Sequence, residues 1–279
     1  MIIRCYGARG SIPVSGAEFI KYGGDTTCLE IRTKDDEIII VDAGSGIRRL
    51  GNKLMEGKRQ NLNLIFTHSH WDHILGFPFF KPLFQENTTV NLMGCPTAQG
   101  NIQKLLSKAM TGPLFPVFFE NLNSTINYSG ACPVIFQIGS VEVSHINLSH
   151  PNVGLGYKFQ EDGKSFVFLT DNELGYRHRG GCSFEDYVEF AKDADLLFHD
   201  AEYSPEEYTS TRSWGHSKYT DALELAISAR VKKVGLFHHH QDRTDPEQDK
   251  IVEDCREIIA SRNAAIECMA LTQTSELVC

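Results

Sequence analysis

Three imidazoles and a carboxylate stand within one short stretch, Thr67-His68-Ser69-His70-Trp71-Asp72-His73. The stretch follows an apolar run, Leu62 to Phe66, which reads as a buried strand. In an extended chain alternate side chains share a face, so His68 and His70 can converge on one cation. Asp72 and His73, one bend further on, can face a second. Nitrogen and carboxylate donors in this mixture suit zinc, iron or manganese.

The elements that would hold this loop are legible as apolar runs and helical spacings. Strands are expected at 2–6, 28–32, 38–41, 62–66, 90–93, 134–137, 140–147, 166–169, 196–198, 231–237 and 264–270. Helices are expected near 46–56, 97–110, 218–230 and 246–261, with another from Phe184 capped by Ser183. Glycine and proline make 7–13 a loop, and Lys34 to Glu37 reads as a hairpin turn. Strand ends then present Asp42, His150, Asp171, the segment His199-Asp200-Ala201-Glu202, and His238-His239-His240. An acid such as Asp42 at a strand end can bind metal, cap a helix or brace a loop. A carboxylate such as Asp171 can bridge two cations about 3.5–4 Å apart. The apolar stretch Gly76 to Phe80 reads as core. The aromatic segment 112–119 reads as core ahead of a lid or an oligomer contact.

Composition sets bounds on function. The chain has 279 residues, 41% hydrophobic and 23% charged, with a net charge of −9. No basic stripe of the kind long nucleic acids require is visible. Eight cysteines form no Cys-x-x-Cys pair, and several fall inside apolar or helical patterns, so reduced buried thiols are expected. With no signal-peptide core and no run of about 18 apolar residues, a cytoplasmic protein without membrane contact is expected.

His-x-His-x-Asp-His after a strand resembles the signature of the metallo-β-lactamase fold, and the likeness extends over most of the chain. Ile38 to Gly46 resembles that family's first motif, and His150, Asp171 and His238 resemble its third, fourth and fifth. The resemblance implies an α/β fold, a four-layer α/β/β/α sandwich, formed as one domain over 1–279. It gives Asp42 the task of orienting the ligand loop, and it suggests a homodimer. It also implies two divalent ions per chain, zinc favoured and manganese or iron open. One ion would take His68, His70 and His150; the other would take Asp72, His73 and His238; Asp171 would bridge them. The nucleophile would be a hydroxide between the ions. His239 and His240 gain no role from the likeness, while Arg9 and Ser11 stand as weak anion contacts in the opening loop.

Trp214-Gly215-His216-Ser217, ahead of an alanine-rich helix, resembles the phosphodiesterase branch of that superfamily, which includes the transfer-RNA 3′-end endonuclease and smaller cyclic phosphodiesterases. In that branch the corresponding His faces the scissile phosphate, and an acid orients it. The catalytic set implied is His216, Asp200 and Asp72, the last doubling as a ligand. The endonuclease needs a protruding basic arm, and region 97–130 holds only Lys104 and Lys108 as basic residues. That departure and the net charge argue against transfer RNA and for a small phosphodiester such as a cyclic nucleotide. Two other hydrolytic or oxidative readings use similar metals: a lactonase or thioesterase, and a di-iron flavin-linked oxidoreductase. The oxidoreductase resembles His-x-Glu-x-Asp-His, against His at position 70 here. A metal-retaining sensor without activity is the remaining alternative.

Overall fold

The computed structural model describes residues 1–95 and 100–279. Its apolar runs pair into two seven-stranded sheets. The first contains β1 (Ile2–Gly7), β2 (Cys28–Arg32), β3 (Ile38–Val41), β4 (Asn61–Ile65), β5 (Thr89–Met93), β6 (Thr125–Ser129) and β14 (Glu276–Val278). Its order is β14-β1-β2-β3-β4-β5-β6. The second contains β7 (Ile135–Ile138), β8 (Val141–Leu148), β9 (Gly154–Glu161), β10 (Lys164–Leu169), β11 (Leu196–Asp200), β12 (Lys233–Phe237) and β13 (Glu267–Ala270), in the order β13-β12-β11-β10-β9-β8-β7.

The strands read as unbroken apolar runs because both of their faces are covered. Ile39 and Val41 point between the sheets, where they meet Phe166, Phe168, Phe198 and Phe237. Their neighbours Ile38 and Ile40 point outward onto α1 (Ile47–Glu56) and α3 (Ile102–Ala109), against Leu50, Leu54 and Leu106. On the second sheet Val167, Leu197 and Val234 face α4 (Phe184–Ala191), α6 (Tyr219–Ser228) and α7 (Asp245–Ser261). Helices therefore flank two face-to-face sheets, which is the expected α/β/β/α sandwich.

Strand polarity sets where side chains of the connecting loops can meet. β3 and β4 pair in parallel, as do β10, β11 and β12. Ligand sites in such sheets lie beyond the carboxyl ends of parallel strands. Asp42, the 67–73 loop, Asp171 and His238 all leave at those ends.

Several features depart from expectation. β6, β9, β14 and a short helix α5 (Pro205–Thr211) have no counterpart among the expected elements. β6 is an edge strand whose exposed residues are polar, held partly by an asparagine ladder: Asn127 donates to Asn91 at 3.1 Å, and Asn91 to Asn63 at 3.1 Å. α3 begins at Ile102; expected residues 97–99 lie outside those described. Cys95 and Cys132 form a disulfide across 37 residues, against the expectation of reduced thiols. The bond joins the exit of β5 to the crossing between sheets, a proximity that spacing alone does not reveal. Phe77 and Phe80 are fully buried as expected of core, yet Phe79 is 56% exposed. In segment 112–119, Phe119 is buried against Phe77, whereas Leu114 and Phe118 face solvent. Among the described residues no helix is long and apolar enough to cross a membrane.

Candidate metal centre

The loop after β4 turns at once into a single helical turn, α2 (Trp71–Ile74). His68 and His70 precede the turn, and Asp72 and His73 lie within it. His150 follows β8, Asp171 follows β10 and His238 follows β12. All seven meet as two interlocking groups: His68, His70, His150 and Asp171; and Asp72, His73, Asp171 and His238. Within each group one donor atom per residue lies within 4.8 Å of the others. Asp171 belongs to both, its Oδ1 3.2 Å from His73 Nε2 and its Oδ2 3.3 Å from His238 Nε2 and 3.5 Å from His68 Nε2.

The rings are aimed by their outer nitrogens, as metal-binding imidazoles usually are. His73 Nδ1 lies 2.8 Å from Asp42 Oδ2. Asp42 also accepts from the Thr67 amide at 2.8 Å and the Thr67 hydroxyl at 2.7 Å, so one carboxylate fixes the loop's first turn. His150 Nδ1 lies 2.8 Å from the Gly215 carbonyl, and His238 Nδ1 2.9 Å from Glu202 Oε2. Buried and inward-facing, the Nε2 atoms of His68 and His73 make no well-aligned hydrogen bond, although the Asp171 carboxylate stands 3.5 and 3.2 Å away. A buried polar atom without a partner is costly, and a cation would satisfy both. Asp42, Asp171 and His238 also hold left-handed backbone, φ 63°, 48° and 57°. Such conformations cost about 1–3 kcal/mol each and persist where surrounding contacts enforce them.

Electrostatics divides the two groups. Burial pushes His68 well below its ordinary pKa, and His150 down to about 3, so both present lone pairs. Burial also opposes a charge on His73 and His238, but Asp171 and Asp72 outweigh it and raise both imidazoles well above the usual range. Asp72 and Asp171 are buried too, yet the adjacent imidazoles pull both far below ordinary carboxylate values. The second group thus favours positive charge at its centre. Donors, orphaned nitrogens and field all fit divalent cations.

His216 and Asp200 form a third group with His238. His216 Nδ1 lies 2.6 Å from Asp200 Oδ2 and 3.3 Å from Glu202 Oε2. Its ring stacks on His238 at 4.6 Å and meets His150 edge-on at 5.2 Å. Burial opposes protonation of His216, but Glu202 and Asp200 overcome it and raise its pKa to about 9.

Other residues fall elsewhere than expected. Arg9 is buried and spends its donors on the carbonyls of Gly23, His240 and Arg243, so it is no anion contact. Ser11 acts through its backbone, its amide donating to Asp72 Oδ2 at 3.0 Å. His239 turns away, Nε2 2.7 Å from the Leu271 carbonyl, while His240 is half-buried at the surface. Two buried acids went unread in the sequence. Glu202 stands two residues past Asp200, and only the fold shows that it serves His238. Glu173 accepts from the amides of Ser213 and Gly215, at 2.7 and 2.8 Å, and so fixes the loop that carries His216.

Comparison with known proteins bears on the class. Residues 38–239 match a family model described as a beta-lactamase superfamily domain. A ribonuclease Z of Haloarcula marismortui is 25% identical over 268 residues, covering 80% of this chain and 83% of that protein. Among solved structures, the metallo-beta-lactamase fold protein YhfI from Bacillus subtilis superposes with a TM-score of 0.72 at 15% identity, over 99% of this chain and 98% of its own. Human tRNase Z, short form, gives 0.67 at 18% identity, over 100% and 99%. The expectation of a metal-dependent hydrolase agrees with these matches. The argument against transfer RNA does not, and the ribonuclease Z and tRNase Z matches overturn it. That argument rested on the lack of a basic arm in 97–130 and on net charge, which averages over a whole surface and says little about the few residues beside a site.

Proposed function

Because this chain belongs to the beta-lactamase superfamily, we propose that it is a metal-dependent phosphodiesterase that cleaves RNA. One cation would be held by His68, His70 and His150, the other by Asp72, His73 and His238, and both by Asp171. Imidazole-rich donors without cysteine favour zinc, with manganese and iron as the other candidates. When bound, such ions supply Lewis acidity and bring the pKa of a water toward neutrality.

The observation that carries the reading is His216. A ribose oxygen leaving from phosphorus is strongly basic and needs a proton. Asp200 occupies the Nδ1 side of the ring at 2.6 Å, which leaves Nε2 as the proton-donating atom. The raised pKa, set by Glu202 and Asp200 against burial, favours a proton on that ring in the metal-free site. The same imidazolium can take up charge on the phosphoryl oxygens. RNA is the substrate class that the ribonuclease Z relatives support.

Replacement of His216 by alanine tests this. General-acid catalysis contributes about 10²–10⁴-fold, so RNA cleavage should fall by that range with metal content unchanged. Unaltered RNA cleavage, or a wild-type enzyme that opens lactones and leaves RNA intact, would refute it.

A further inference from the structure

Beside His150 the surface changes character. Residues after Asp171 fold back over Ser149. The Ser149 hydroxyl donates to the Tyr176 carbonyl at 2.6 Å, and the His178 amide donates to that hydroxyl at 3.0 Å. Glu173 binds this segment to the next loop. Its Oε2 lies 2.8 Å from His178 Nε2 and accepts from the Gly215 amide; its Oε1 accepts from Ser213 and, at 2.6 Å, from the Tyr208 hydroxyl. The segments 174–181 and 212–216 are thereby locked to each other and to the residue preceding His150.

What these two loops turn outward is neither acidic nor random. Trp214 is 62% exposed and Tyr176 40%. Arg177, Arg179 and Arg212 are also exposed. The Arg212 guanidinium sits 5.6 Å from the centre of the Tyr176 ring. Arg177 is braced by donating to the Gly181 carbonyl at 2.9 Å, and Arg179 makes no hydrogen bond or ion pair to the described residues. Three arginines and two aromatic faces thus gather at one edge of a chain whose net charge is −9. Solvent-facing aromatic rings interleaved with guanidinium groups are the equipment by which proteins hold unpaired nucleic-acid strands, rings on bases and cations on phosphates. The location adds to the chemistry. Trp214 stands two residues before His216, and the Gly215 carbonyl between them accepts from His150 Nδ1. A base stacked on Trp214 would belong to a nucleotide adjoining the reacting phosphate.

We propose that the loops 174–181 and 212–214 form a binding rim for a single-stranded RNA segment. Trp214 and Tyr176 stack on bases, and Arg177, Arg179 and Arg212 hold phosphates. The proposal rests on the RNA reading for its substrate, but its binding arm can be measured without catalysis.

The probe is a short fluorescein-labelled oligouridylate with phosphorothioate linkages, titrated into the metal-loaded full chain and followed by anisotropy. Trp214→Ala and Tyr176→Ala should each weaken binding roughly five- to a hundredfold, the span of base–aromatic stacking. The exposed Arg179→Ala variant, which removes no internal contact, should reduce the slope of log affinity against log salt by about 0.7. Affinity within about twofold of wild type for all three variants, or an unchanged salt slope for Arg179→Ala, would overturn the rim. A chain that binds the oligonucleotide through these residues yet leaves RNA uncut would uphold the rim and refute the phosphodiesterase reading. Efficient RNA cleavage with indifferent variants would do the opposite. Absence of any oligonucleotide binding would overturn the rim.

Discussion

Glu202→Gln separates the two tasks that one buried carboxylate performs. Glu202 is 2% exposed, 2.9 Å from His238 Nδ1 and 3.3 Å from His216 Nδ1. Glutamine keeps the volume and removes the charge. Its amide oxygen can still accept one N–H, so His238 keeps an outer partner of weaker kind. Changes of this type cost about 10–100-fold in metal affinity, or about 1.4–2.7 kcal/mol at 1.36 kcal/mol per decade. The surviving acceptor places the expected loss near the lower figure. The second effect falls on His216. Glu202 is the largest of the influences that raise this imidazole toward about 9, and removing a close opposite charge lowers a pKa by about one unit or more. In the proposed reaction the protonated ring is the working form, so rate would be lost as pH rises through its pKa. Bound cations repel the imidazolium and lower that pKa in wild type and variant alike. At equal metal loading, the alkaline limb of the variant's pH–rate profile should therefore begin at least about one unit lower. Chelator competition gives the affinity, and kcat against pH gives the limb. Metal affinity within twofold of wild type together with an unmoved limb would refute the reasoning.

Two further outcomes follow from the geometry. A methyl group at Gly10 would overlap the His238 imidazole. Gly10→Ala should displace that ring and cut affinity at the second ion about 10–100-fold, read by the same chelator competition; an undisturbed affinity would show that the opening loop yields freely. In metal-free protein, His73 and His238 are raised, and Asp72 and Asp171 lowered. The raised imidazoles give stability that is full below about pH 6.5 and is lost as pH rises through their folded values; the depressed acids give stability that is present above about pH 4 and is lost as pH falls through theirs. Metal binding needs deprotonated ligands. Below about pH 6.5 the buried neutral imidazoles His68 and His150, held below their ordinary pKa, work the other way, because the unfolded chain binds the protons they exclude. The Tm of chelator-stripped protein should thus be highest near pH 6.5 and fall toward alkaline pH, while that of metal-loaded protein rises from pH 5 to 8. Parallel curves for the two forms would contradict this.

The layers were legible because a strand covered on both faces must be apolar throughout, as Ile38 to Val41 is. The ligand loop was legible because its donors are contiguous. β6 escaped because an edge strand such as Thr125–Ser129 carries polar residues. β14 has only three residues. The signal for α5 was present and unread: Ser204 with Glu207 three residues later forms a capping box, and Pro205 takes the first helical position. Glu202, Glu173 and the Gly215 carbonyl were not legible for a different reason. Each acts on a residue that sequence places far away, and an acid near a strand end looks the same whether it faces solvent or an imidazole. Arg9 shows the converse error: a cation in a loop near the site suggested an anion contact, whereas burial turned it onto three backbone carbonyls. Net charge was a poor argument about transfer RNA because it averages over the whole surface and takes no account of a few local arginines such as Arg177, Arg179 and Arg212.

The most direct test is the metal content of freshly purified protein and of single-ligand variants, by inductively coupled plasma mass spectrometry. Two equivalents per chain are expected in the wild type, about one after His150→Ala or His238→Ala, and fewer than one after Asp171→Ala, because both cations share that carboxylate. One equivalent or none in the metal-replete wild type, or two equivalents retained without Asp171, would contradict a paired centre bridged by that residue.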